Sequence, residues 1–566
     1  DTIVPSPDMP GAYAFDHALI RELLYDELPL HKRCVLHARA GEGLLRRRNA
    51  GGEVTRVELA HHFLSALPCG DVGVAVSHAR EAAASATIMC AHADARALLR
   101  RALSSLRFTT AAEPEVRTAL LLELAIVERA LADPAYNEHL QQGVALAHSL
   151  RLGSMLALAG RFLSPGPGML SRPDTYKLLE AAAEVLPPDA DGQRAYVLAQ
   201  LSWTPPNCWS ARKVDALLKQ AKQLAQRSGD AEAQATVRVA ELYFASCPLE
   251  RARRDALAQE VERELESHPA RVNLWRSLYT RMCRYISASQ CGDQVGVRRA
   301  IEDMSTLHQT LNITEFYWHH ERLLLSQRMT RGEWSDVGAE LARLRERAQS
   351  LDFQSWRAIS ASDYGFFLLN TGDPGALARA MRPHLAPVSH DSPNTRSIKL
   401  RSLAEHGFLD DARAGLSELS PEIVRDLPKD RDHLAVLADL SVVAVAVHSL
   451  PHCQLLYERL RPYADYYVMG VSLNCQGSVH HYLGNLARAL GDAQSALTHL
   501  THGVEQNRNA GLITWMIHNQ FDLAKLLLAP GPVQDQARGQ QLQAATAKHA
   551  QSLGMRPFPQ ADSLAE

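Results

Sequence analysis

One spacing constrains this chain more than any other. Five times a glycine that closes an apolar-periodic stretch is followed by an apolar or small residue five and nine positions on: Gly292/Val297/Ile301, Gly332/Val337/Leu341, Gly372/Leu377/Met381, Gly407/Ala412/Leu416 and Gly491/Ala496/Leu500. The glycines lie 40, 40, 35 and 84 residues apart, and a glycine-free copy at His448/Cys453/Tyr457 divides the last interval into 41 and 43. Glycine enters the left-handed conformation that ends a helix without a steric penalty, and residues four apart share a helix face. Each unit therefore predicts a helix, a glycine turn and a second helix folded back on the first. Neither helix of such a pair can bury its apolar face alone, so pairs recurring at this period must stack into an array.

The rest of the sequence agrees. From about Ala18 to Arg556 apolar residues recur at three- and four-residue spacing, in stretches of helical length separated by short Gly, Pro, Asp or Asn breaks. Only Gly11–Asp16 offers a short strand. At 566 residues the chain exceeds what one compact core holds, which suits either several domains or an elongated array. With 60 Lys and Arg against 63 Asp and Glu, no global field draws it to nucleic acid or an anionic membrane. The most apolar stretch, Leu434–Leu450, is interrupted by Asp439, Ser441, His448 and Ser449, too polar for a membrane span. Nine scattered cysteines without a CxxC pair read as reduced core thiols of a cytoplasmic protein. The start at Asp1 without Met is expected to mark a fragment or processed product.

The clearest copy runs from Ser478 to Gly503, SVHHYLGNLARALGDAQSALTHLTHG. Its Leu483-Gly484, Ala487, Gly491, Ala496, Leu500 and Gly503 resemble the large and small packing residues of a tetratricopeptide helix pair, with His480 where that motif prefers Trp. The expected fold is all-α: a tetratricopeptide-like superhelical solenoid of antiparallel helix pairs with a period of about 40 residues. A second resemblance is carried by Ala14–Pro29, Arg33, Leu36-His37 and Glu58–Phe63, and at the far end by Gly477–Gly491, Leu523–Leu528 and Ala550–Met555. These phrases resemble the junction and last repeats of the sensor array in bacterial signal-transducing (STAND-type) NTPases, including LuxR-type regulators and cyclase-linked ATPases. The resemblance implies that residues 1–28 are the remnant of an upstream winged-helix/ATPase module. Residues 29–200 would be N-terminal helical repeats, 201–290 degenerate middle repeats, 291–556 tetratricopeptide-like repeats and 557–566 a polar tail. None of the nine lysines follows a glycine, so the phosphate loop GxxxxGK[ST] is absent, and ATP is expected only in the upstream module.

Local chemistry is sparse. His320-Glu321 opens a zinc-protease-like phrase, but Leu324 stands at the second ligand position. His61-His62, His319-His320 and His480-His481 are neighbours on helices and diverge by about 100°, which prevents chelation from one face. Cys90-Ala-His92 has the same difficulty, and no GxSxG elbow occurs. Arg46–Arg48 and Arg251, Arg253 and Arg254 lie among acidic residues and read as solvated helix faces, not as a nucleic-acid surface. The chain is thus expected to be non-catalytic, with no metal or cofactor of its own.

Recognition is expected instead from a concave groove. The repeat period brings Trp318, Arg322, Asp363, Tyr364, His480, Asn485 and Arg488 towards one surface, suited to a peptide, protein or small effector. The resulting expectation is a sensor arm that binds there and relays occupancy to an upstream NTPase module. The alternative is a free-standing scaffold for protein partners.

Overall fold

The computed structural model describes residues 3–5, 13–15, 18–109, 114–131, 133–163, 175–245, 248–267, 274–311, 314–350, 354–372, 385, 391–470 and 473–556. Among them helix follows helix from Ala18–Glu27 to Gln536–Ser552, and the chain is all-α as expected. Strand structure among the described residues is confined to two short antiparallel pairs, Ile3–Pro5 with Tyr13–Phe15 and Tyr467–Met469 with Cys475–Ser478. The first includes the segment in which a strand was expected; the second was not foreseen. Contacts divide the chain into two units, 1–151 and 152–566. The divisions expected from the sequence, near 28, 200, 290 and 556, are of another kind, between groups of repeats. The tail 557–566 lies outside the described residues.

The first unit is built from the helices Leu30–Asn49, Arg56–Ser65, Val72–Ile88, His92–Ser105, Pro114–Ala130 and Tyr136–Ser149, joined by short turns after an opening helix, Ala18–Glu27. Thr55 starts one of these by a capping box, its side chain accepting from the Glu58 amide while the Glu58 carboxylate accepts from the Thr55 amide. The helix interfaces are rich in alanine: Ala75, Ala79, Ala82, Ala95 and Ala102 are fully buried, which lets neighbouring backbones approach closely. Arg80 spans two helices to reach Glu123 across 43 residues.

In the second unit the period is written in hydrogen bonds. Gln200 donates to the Gly160 carbonyl, Gln327 to the Tyr285 hydroxyl, Arg322 to Asp363 and Ser397 to Asp439, at separations of 40, 42, 41 and 42 residues. The glycine turns also stand: Gly292, Gly332, Gly407 and Gly491 have φ of 70°, 76°, 82° and 83°. His448, predicted to replace glycine in one copy, adopts φ 57° in its place. Gly372 does not enter the left-handed region, and Leu377 and Met381 of its copy lie outside the described residues. Gly484 and Gly503 sit at close helix crossings. A Cβ on Gly484 would stand 2.6 Å from the Leu500 Cγ, and one on Gly503 would collide with the Asn519 amide.

Contacts within this unit also join repeats that are far apart in sequence. The Leu473 carbonyl accepts from the Tyr285 and Ser326 hydroxyls, 188 and 147 residues away. The Trp209 indole donates to the Asp391 carbonyl, and the Tyr243 hydroxyl to Asp432. The strand pair Tyr467–Ser478 is what makes the first of these contacts, because its turn projects a backbone carbonyl that helical hydrogen bonding would otherwise occupy.

Candidate docking face

The helices Pro393–Glu405, Val479–Ala489 and Ile513–Leu528 bring their polar residues together around Arg401. Two serines fix where the first two begin: Ser392 accepts from the Thr395 amide, with Pro393 at the first helical position, and Ser478 accepts from the His480 amide. Arg401 is buried. Its Nη1 donates to Asp439 Oδ1 at 3.0 Å and to Gln476 Oε1 at 2.9 Å, and its Nε to Glu405 Oε1 at 2.7 Å. Burial opposes the guanidinium charge, yet Glu405, Tyr482 and Asp439 together hold it ionised more firmly than usual. Asp439 also accepts from the Ser397 hydroxyl, but burial outweighs both partners and pushes its carboxyl up to about 6.

Beyond this network the polar residues reach the surface. Asn485 donates to Asp522 Oδ2 at 2.9 Å, the pair standing 37 residues apart, and Arg488 donates to the Asn485 side-chain oxygen at 3.3 Å. His481 shares a hydrogen bond with Asn519 at 3.1 Å and lies 3.7 Å from Asp522. The Lys525 ammonium rests 4.4 Å from the Phe521 ring centre. Burial lowers its basicity, Asp522 opposes that shift and Arg488 adds to it. Arg556, partly exposed, is likewise lowered by burial. Its amide donates to the Asn370 carbonyl, and the Asn370 side chain meets His518 Nε2 at 2.8 Å. Burial, with His481 adding, drives His518 down to about 3 and keeps it neutral. The outward layer therefore presents Arg488, Lys525 and Arg556 against Asp522, over a floor of amides and neutral imidazoles.

The seven residues assigned to one groove do not share it. Asn485 and Arg488 lie on this face. His480 does not: it is buried with His499, Nδ1 to Nδ1 at 2.8 Å, and its ring centre is 5.2 Å from that of His502. Trp318, Arg322 and Asp363 form an interior triad, with the Arg322 guanidinium 4.6 Å above the fully buried Trp318 ring and its Nε 2.6 Å from Asp363. They are packing residues, because a period that aligns helices in register carries some matching side chains into the seam between repeats. Tyr364 is partly exposed beneath the Arg345 guanidinium.

The same reasoning corrects the reading of Arg254 as part of a solvated cluster: it is 2% exposed. Arg401, Gln476, Asp522, Lys525 and Arg556 were missed. The 37-residue step from Asn485 to Asp522 is repeated from Arg488 to Lys525, so following the period through polar positions would have found two of the five.

Among the described residues no group of three or more His, Cys, Asp or Glu is placed to hold a metal ion, and no helix is long and apolar enough to cross a membrane. The fold and this face define a helical-repeat chain of tetratricopeptide-like pairs. No protein-family model and no curated protein matches it. Among solved structures it is similar to the crystal structure of yeast Tom70, at 11% identity over 90% of this chain and 99% of that chain, with a TM-score of 0.30. A superposition that loose carries no argument, and the fold class rests on the helix pairs themselves.

Proposed function

We propose that the chain is a cytoplasmic, non-catalytic helical-repeat scaffold, without a cofactor of its own, that docks an acidic segment of a protein partner on the face around Arg488, Lys525 and Arg556. The observation that carries this reading is the surface set of three cations, Arg488 exposed and Lys525 and Arg556 partly exposed, with Asp522 among them already held by Asn485; burial lowers the basicity of Lys525 and Arg556. A half-buried cation whose charge is disfavoured gains most when a carboxylate arrives beside it. The test is fluorescence anisotropy with a labelled Asp/Glu-rich peptide and a Lys-rich control. Replacing Arg488 with Ala and Lys525 with Met together should weaken the acidic peptide by tenfold or more, which corresponds to about 1.4 kcal/mol, and should flatten its salt dependence. Unchanged affinity in that variant refutes the reading.

A second reading, the sensor arm of a signal-transducing NTPase, has one feature in its favour. The opening helices Ala18–Glu27 and Leu30–Asn49, which carry the junction-like phrase, expose Leu19, Leu23, Leu24 and Leu30. An apolar surface of that kind suits cover by a preceding module. Nucleotide turnover in a longer reading frame, changed by the acidic peptide, would support it; turnover indifferent to the bound peptide would count against it.

A further inference from the structure

The interior of the second unit holds an unusual concentration of charge at the meeting of the helices Ala231–Phe244, Arg251–Ser267 and Leu274–Gln290 with the turn before His433. Arg431, 3% exposed, gives its Nε and Nη2 to Asp432, and its guanidinium lies 5.6 Å and 5.8 Å from the ring centres of Tyr243 and Tyr279. Its Nη1 has no hydrogen-bond partner. Arg254, 2% exposed, makes one long contact from Nε to Asp255 at 3.4 Å, and its Nη1 and Nη2 have no partner. Burial pushes the Cys283 thiol up, and both Arg431 and Arg254 oppose that rise, so both guanidinium groups act on this thiol, to which the Tyr279 hydroxyl also hydrogen-bonds. Three buried guanidinium nitrogens without an acceptor, carried by neighbouring packed elements, are costly, since a buried donor left unmade loses its full hydration.

We propose that this cluster is a binding site for a small carboxylate, held by Arg254 and Arg431 against the faces of Tyr243 and Tyr279. A planar carboxylate offers two oxygens to paired guanidinium donors, the geometry at which arginine excels. Charge agrees: burial and the neighbouring Asp432 push Asp430 up to about 8, so at neutral pH it is mostly protonated. Among the buried groups, Arg254, Arg431 and Asp432 then leave one positive charge for a monoanion, and the remaining carboxylate, Asp255, is half exposed and screened by water. Asp255, beside Arg254 and 49% exposed, marks the side nearest water. The site uses none of the residues named on the docking face, so acetate binding and peptide binding are read separately.

The probes are acetate and inorganic phosphate, added to the full chain and followed by calorimetry and by the thermal transition. Acetate should give a saturable heat and a rising transition temperature. Arg254→Met should weaken acetate more than tenfold, and Tyr279→Phe should weaken it measurably with little change in fold; should Arg254→Met not fold, Arg431→Lys takes its place. Peptide binding at the docking face should be unchanged in all three variants. Tighter binding of phosphate than acetate overturns the carboxylate assignment. Equal acetate affinity in wild type and Arg254→Met, no saturable response, or ordered waters alone on the three nitrogens overturns the site.

Discussion

The close crossing at Gly484 gives a test in which one substitution should act in opposite directions at two positions. Replacing a mid-helix glycine with alanine stabilises a helix by about 1 kcal/mol through intrinsic propensity. At Gly365, inside the helix Gln354–Thr371, a new Cβ meets nothing within 4 Å, so Gly365→Ala should realise that gain. At Gly484 the Cβ would lie 2.6 Å from Leu500 Cγ, 2.8 Å from Leu500 Cδ2 and 3.2 Å from the Leu500 backbone nitrogen. Leu500 is fully buried and has nowhere to turn, and the backbone contact means that the two helices themselves must separate. Overpacking of this kind costs about 1–3 kcal/mol. Set against the propensity gain, Gly484→Ala should destabilise by up to about 2 kcal/mol, leaving the pair of variants separated by about 1–3 kcal/mol. Urea titration of the full chain, with hydrogen exchange on the helices Val479–Ala489 and Ala493–Asn509, reads both effects. If Gly484→Ala matches or exceeds Gly365→Ala in stability, these helix pairs are not held by the close approach that the repeat spacing implies.

Three further outcomes follow from named residues. His448 takes the glycine place with φ 57° while its side chain is exposed, so His448→Gly should stabilise by about 0.5–1 kcal/mol, the left-handed penalty less glycine's extra unfolded-state freedom; a loss of stability in thermal unfolding would refute this. Burial lowers His433 and His518 to about 3 and His480 to about 4, against about 6.5 in the unfolded chain, so their contribution is complete above pH 6.5 and drains away as pH falls towards 3–4. The histidine variants His433→Gln and His518→Gln should flatten the fall in urea midpoint between pH 6.5 and 4.5, and an unaltered slope would show these imidazoles are not the cause. Asp430 has the opposite sign: its folded value of about 8 lies above the unfolded carboxylate range, so its contribution is present below about pH 4 and is lost as pH rises towards 8. Asp430→Asn keeps the acceptor for the Asp432 amide and should gain on the wild type from pH 5 to pH 8; a constant difference in midpoint would contradict that sign.

Much of the fold was legible because its signals are local. A glycine turn followed by apolar residues at +5 and +9 lies within a dozen residues, and it announced both the left-handed turns at Gly407 and Gly491 and the substitute at His448. The period also anticipated which helices would exchange hydrogen bonds, as Arg322 with Asp363 shows. It did not say which of those contacts would be buried. Asn485 and Trp318 were placed in the same groove by the same reasoning, yet one reaches the surface and the other is sealed inside.

By itself, then, the sequence determined the helix pairs, their step of about 40 residues and the close crossings that small residues permit, since all of these depend on neighbours along the chain. Tertiary structure alone decided that Leu473 would join Tyr285 and Ser326, that Trp318 would be sealed inside, and that Arg254 would leave the solvent. Helical spacing records only which residues share a face. Whether that face meets water or another repeat depends on segments one or two hundred residues away, and the environment of every charge follows from that meeting.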